Sequence, residues 1–136
     1  MKMKVDLNYV GDEQYYTTNE TGNRVDIDML SPDNKEYQSP TQLLLSGLVA
    51  CAAVDIVLMV KKRRKTLVDL KGTAEGERRE EHPRGFTNIH LHYKIFSPDL
   101  TEEEAERIVD LSTTKYCSVA ASVSAEQTHS FEIIRP

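Results

Sequence analysis

An α+β fold is predicted for this chain of 136 residues, read as one domain spanning residues 1–136. Three observations lead to it. Strand-like segments come in groups joined by short turns instead of alternating singly with helices. One long, almost wholly apolar helix divides the first group from the second. Two helix starts carry nearly complete capping signals. The expected order is β-β-β-α-β-β-α-(α)-β, with a long buried central helix.

Met3, Val5, Leu7 and Tyr9 alternate with Lys2, Lys4, Asp6 and Asn8. That period of two predicts a strand with one face buried. Residues 11–14 read as a turn, and residues 15–18 are rich in strand formers. Gly22 marks the next turn. Val25, Ile27 and Met29 then alternate with Asp26 and Asp28, giving a third strand of an antiparallel meander. After a polar loop, Ser39 supplies an N-cap, Pro40 the first helical residue and Gln42 the third-position partner of a capping box. The helix is expected over residues 40–64, where a basic cluster suits the negative end of its dipole.

Val68, Leu70, Gly72, Ala74 and Gly76 alternate with polar residues, as do Ile89, Leu91, Tyr93 and Ile95. These read as the fourth and fifth strands, joined as a long hairpin. Ser97-Pro98 ends the fifth. Thr101 and Glu104 form a second capping box, with Leu100 and Ala105 placed for a hydrophobic staple. Ala105, Ile108, Val109 and Leu111 make the apolar stripe of an amphipathic helix that fades near Tyr116. A short turn or helix carries Cys117, and a last strand covers residues 128–134.

Composition narrows the function. Lysine and arginine number 17 against 22 aspartates and glutamates, a net charge of −5. So acidic a chain is a poor partner for nucleic acid, whose phosphates demand a basic face. The N-terminus lacks the apolar core of a signal peptide, so a cytoplasmic, reducing location is expected. Residues 43–60 approach the roughly 20 apolar residues that span a bilayer. Asp55 within them would cost about 3 kcal/mol there, so the segment reads as a core helix and not a membrane span. At about 25 residues, roughly 37 Å, it is too long and too apolar for so small a chain to surround. A homodimer is expected to cover part of it.

Neither a glycine-rich phosphate loop, nor G-x-S-x-G, nor C-x-x-C occurs. His90 and His92 form an H-x-H pair on the outer face of the fifth strand, but a zinc site needs three or four ligands and no third is evident, so no metal is expected. His82 and His129 have no evident partner. There remain two cysteines, too few for a secreted disulfide framework. Cys51 lies deep in the apolar helix and Cys117 at a helix break. By themselves they read as small core hydrophobes or as redox groups.

The run Ser39-Pro40-x-Gln42-Leu43-Leu44, followed by Ala50-Cys51 in one helix and by Tyr116-Cys117-Ser118-Val119 further on, resembles the OsmC/Ohr family of peroxide-detoxifying proteins. The likeness extends over nearly the whole chain, and the stretches around the two cysteines look most like an OsmC-like branch. The resemblance implies an intertwined homodimer whose sites lie near the interface, each a cysteine pair that reduces organic hydroperoxides. Cys51 would be oxidised to a sulfenic acid and Cys117 would resolve it as a disulfide. An external dithiol reductant would restore both thiols, with no cofactor. The apolar surroundings would favour a lipid-like or bulky alkyl peroxide.

The characterised enzymes carry a Glu that holds an Arg against the reactive thiolate, and this chain has Thr41 at that position. Arg24 is the local candidate for the cation. Asp55 shares a helix face with Cys51. Ionised, it would oppose a thiolate; it either orients a basic partner, such as an Arg of the other chain, or is a paired structural carboxylate. A helix start after Tyr116 would favour a thiolate at Cys117. The alternative function is a non-enzymatic OsmC-like dimer that binds an apolar ligand or senses oxidants.

Overall fold

The computed structural model describes all of residues 1–136. The chain forms two compact units, Met1–Leu44 and Leu45–Pro136. In the first, β1 (Val5–Gly11), β2 (Gln14–Asn19) and β3 (Arg24–Asp28) form an antiparallel meander in that order. Leu7 pairs with Thr17 and Thr17 with Val25. The β2–β3 turn needs Gly22, whose φ is +82°. The alternation in β1 predicted a buried face, and here the structure differs. Val5, Leu7 and Tyr9 are 67%, 65% and 69% exposed. The apolar face exists, but within this chain it stays open to solvent.

The polar anchor of this unit is Asp28, which is fully buried at the end of β3. Its carboxylate accepts from the backbone N–H groups of Glu36 and Tyr37, each at 2.8 Å, and from Lys35 Nζ. Burial alone would raise its pKa, but the Lys35 and backbone donors together hold it down at about 2. The expected cap follows. Ser39 N–H donates to Gln42 Oε1 at 2.8 Å, and Gln42 N–H to Ser39 Oγ at 3.3 Å.

Helix α1 (Pro40–Lys62) begins in this unit and runs into the second. It is buried along one stripe only: Leu48, Ala52, Ile56 and Val60, four residues apart. Val54 and Leu58, each 59% exposed, lie off that stripe, and Leu44, which continues it toward the helix start, is 40% exposed. By length and composition α1 could cross a membrane, but its buried stripe belongs to the core of the second unit. It ends two residues before the expected Arg64, which adopts a left-handed φ of 59°.

In the second unit, β4 (Asp69–Arg78) and β5 (Phe86–Phe96) form the expected antiparallel hairpin. Helix α2 (Glu102–Thr114) starts at the Thr101–Glu104 capping box. A tight turn leads through a 3-10 segment, Ala120–Ser122, to β6 (Glu126–Ile134). The sheet order is β4-β5-β6, and β6 runs parallel to β5. One β-α-β crossover is therefore present among the hairpins, with α2 supplying the connection that a parallel pair requires. Ile89, Leu91, Tyr93 and Ile95 are at most 1% exposed and pack with the α1 stripe and with Leu100, Ala105, Ile108 and Val109.

Candidate thiol site

Cys51 sits on α1 one turn after Gly47 and is half-buried; Cys117, in the turn after α2, is 3% exposed. Both are free thiols. The fold brings them together although they are distant in sequence: Cys51 packs against the core cluster that contains Cys117, close enough to act on its thiol. Cys117 Sγ also accepts from the Ala120 N–H at 3.3 Å.

The expected helix start after Tyr116 is only this short turn. Its amides do favour a Cys117 thiolate, but burial and the neighbouring Cys51 sulfur outweigh them. The Cys117 thiol is pushed up, not down.

Tyr93, which the sequence marked only as a core residue of β5, closes the site from the sheet side. Its hydroxyl donates to the Val49 carbonyl at 2.8 Å, tying β5 to α1 half a turn before Cys51. Burial, and then the negative charge available on both sulfurs, push its phenol pKa well up. The close approach depends on Gly72. A Cβ there would lie 2.9 Å from Tyr93 Cε1 and 3.0 Å from Val49 Cγ2. Nothing in the strand alternation distinguishes Tyr93 from Leu91. The one available signal was a tyrosine at an inward position, since a buried phenol needs an acceptor.

Asp55 lies on α1 one turn beyond Cys51, half-buried, and carries no hydrogen bond or ion pair from within the chain. Arg24, in the first unit, is committed to Asp26: Nη2 and Nε lie 2.8 and 3.0 Å from Asp26 Oδ1. The guanidinium also stacks 3.8 Å above the Tyr16 ring, and the Asp26 hydrogen bond raises its pKa. Thr41 Oγ1 lies 3.3 Å from Ser39 Oγ, an additional tie at the start of α1. No three His, Cys, Asp or Glu side chains come together as a group that could hold a metal ion. His90 and His92 instead bond to hydroxyls and a carboxylate of β6.

A three-stranded meander, a long helix bearing one cysteine and a second cysteine held against it define the OsmC-like class. The family model described as OsmC-like protein matches residues 32–132, and the chain belongs to that family. It is 38% identical over 116 residues to Protein YhfA of Escherichia coli K12, covering 84% of this chain and 85% of that one. Among solved structures, a protein from Aquifex aeolicus superposes with a TM-score of 0.87 at 28% identity, covering 100% of this chain and 98% of that one. The OsmC-like protein of Mycoplasma pneumoniae gives 0.85 at 21%, covering 98% of each chain. The organic hydroperoxide resistance protein OhrB of Bacillus subtilis shares the fold at 0.63 and 19%, again over 98% of each.

Proposed function

We propose that this chain is a thiol-dependent peroxidase that reduces organic hydroperoxides. The observation that carries the reading is the thiol pair: a half-buried, free Cys51 packed against the core that holds the buried, free Cys117. Membership of a family with hydroperoxide-resistance proteins among its structural neighbours supports it. The Cys51 sulfur, as the thiolate, attacks the terminal oxygen of the hydroperoxide. The O–O bond breaks, the sulfur gains that oxygen as a sulfenic acid, and the alkoxide leaves as the alcohol after taking a proton. Cys117 then attacks the Cys51 sulfur, the S–O bond breaks, water leaves and a disulfide remains. An external dithiol reductant returns both thiols by exchange, with no cofactor.

The working unit is a homodimer. Leu44, Val54 and Leu58 on α1 and Val5, Leu7 and Tyr9 on β1 are apolar and exposed in the single chain, and exposed apolar faces of that kind favour covering by a partner. In that setting Asp55, which has no partner here, receives a cation. Arg24 is the candidate on this chain, released from Asp26. The location is cytoplasmic, where the reducing pool keeps both thiols free.

The test is intact mass, denatured and non-reduced, after one equivalent of an alkyl hydroperoxide. Wild type is expected to lose two hydrogens, Cys117→Ser to gain one oxygen and Cys51→Ser to stay unchanged. Survival of both thiols in excess peroxide would overturn the reading. A second reading, an apolar-ligand-binding or oxidant-sensing dimer, is favoured by Thr41 in place of the family's Glu and by the uncompensated Asp55.

A further inference from the structure

On the outer face of the second sheet, β5 and β6 carry an unbroken hydrogen-bonded row. Thr128 Oγ1 lies 2.7 Å from His90 Nδ1, and His90 Nε2 lies 2.8 Å from Ser130 Oγ. Ser130 Oγ in turn lies 2.7 Å from His92 Nδ1, and His92 Nε2 lies 3.1 Å from Glu132 Oε1. The parallel register makes this row: Thr128 is beside His90 and Ser130 beside His92.

Its polarity follows from the donor inventory. The Glu132 carboxylate can only accept, so His92 Nε2–H donates to it. Neutral His92 then accepts at Nδ1, and the donor there is the Ser130 hydroxyl. That hydroxyl has one proton, so its lone pair accepts from His90 Nε2–H, and His90 Nδ1 accepts from Thr128. Ser130 is thus bonded to a base that a carboxylate orients, the order of groups that activates a serine nucleophile.

Ser130 is half-buried, outside the closed core. At the Thr128–His90 end of the row, next to Ser130 and not lined by it, lies a cleft of about 530 Å³ lined by His90, Thr128, Leu45, Glu75, Glu77 and Glu126 among others. Its carboxylates disfavour an anionic occupant and tolerate a neutral or cationic one.

We propose that Ser130 is a second nucleophilic centre, separate from the thiols, that takes the acyl group of a neutral or cationic carboxylic ester. Ser130 Oγ bonds to the carbonyl carbon as His92 Nδ1 takes the hydroxyl proton, and Glu132 stabilises the resulting imidazolium. The bond to the leaving oxygen then breaks, and the alcohol departs with that proton. No electrons are exchanged with another reactant. Attack also releases His90 Nε2–H from Ser130, freeing it to donate to the oxygen that gains charge. Water, deprotonated by the same base, then bonds to the acyl carbon; the bond to Ser130 Oγ breaks, the carboxylic acid leaves and His92 returns the proton to the serine.

The test is peptide mapping of wild-type protein exposed to p-nitrophenyl acetate, which separates a serine ester from acyl groups on cysteine or lysine. Ser130 is expected to be acetylated about 100-fold faster than exposed Ser124, the range a positioned base supplies. Ser130→Ala should abolish the adduct. His92→Gln and Glu132→Gln should each slow it at least tenfold, with melting curves little changed, since none of the three belongs to the buried core. An ester with an anionic leaving group should react more slowly than the neutral one. Acetylation of Ser130 no faster than of Ser124, or a rate indifferent to His92→Gln, would overturn the proposal and leave the thiol chemistry untouched.

Discussion

The two three-stranded sheets are built from similar alternating strands and end in opposite conditions. In β5 the inward residues Ile89, Leu91, Tyr93 and Ile95 are at most 1% exposed; in β1 the matching set Val5, Leu7 and Tyr9 is about two-thirds exposed. The second sheet has α2 and the α1 stripe to cover it. The first has its apolar face and one buried polar anchor, Asp28. Alternation says that a strand has an apolar face. It does not say what covers that face, and in the homodimer proposed above the cover is a second copy.

The largest expected effect that probes this difference is Ile95→Ala in the covered sheet, which should cost about 2–5 kcal/mol in urea unfolding. Leu7→Ala in the open sheet should cost less than about 0.5 kcal/mol in dilute protein, as an exposed substitution does. A Leu7→Ala penalty that grows with protein concentration would sharpen the contrast by placing the missing cover in another chain. A penalty equal to that of Ile95→Ala at every concentration would break it.

Next in size is Gly72→Ala. The added methyl meets Tyr93 and Val49, and the overpacking should cost about 1–3 kcal/mol. Its signature is a slower reaction of Cys51 with an alkylating reagent of fixed size, measured beside Gly47→Ala, where the added methyl meets nothing. Smaller still, Thr101→Ala removes the α2 cap and should cost about 1 kcal/mol, visible as a lower melting temperature of the second unit.

The effect of acid is absent at neutral pH. Asp28 is held deprotonated more firmly in the folded chain, about 2 against 3.8. Its stabilisation is therefore complete above the ordinary carboxylate value and is lost as pH falls through about 2. In acid, the amide signals of Glu36 and Tyr37, which donate to Asp28, should broaden before those of β5. Simultaneous loss would show that the two sheets do not differ in their response to acid.

Much of the fold was legible locally. Both capping boxes follow from residues three apart, and the hairpin of β4 and β5 from period-two alternation. The parallel pairing of β6 was not legible, because Thr128, Ser130 and Glu132 say nothing of their register against His90 and His92. For the same reason the H-x-H pair read as a plain polar face. The pairing of Cys51 with Cys117 entered through family likeness, since no local pattern measures a distance across the fold. The role of Tyr93 needed the absence of a side chain at Gly72, which becomes informative only once β4 and β5 are in register.

The bond from Tyr93 to the Val49 carbonyl makes α1 a fixed post at the level of Cys51. The turn carrying Cys117 is held by short contacts, among them the one from the Ala120 amide to the sulfur itself. A sulfur drawn into a disulfide stays attached to the post and swings the arm. Oxidation should therefore be written in the exchange of the Ala120 amide and its neighbours, while the α1 amides keep their rates. The 117–123 turn would then serve as a readable pointer of redox state on an otherwise stationary frame.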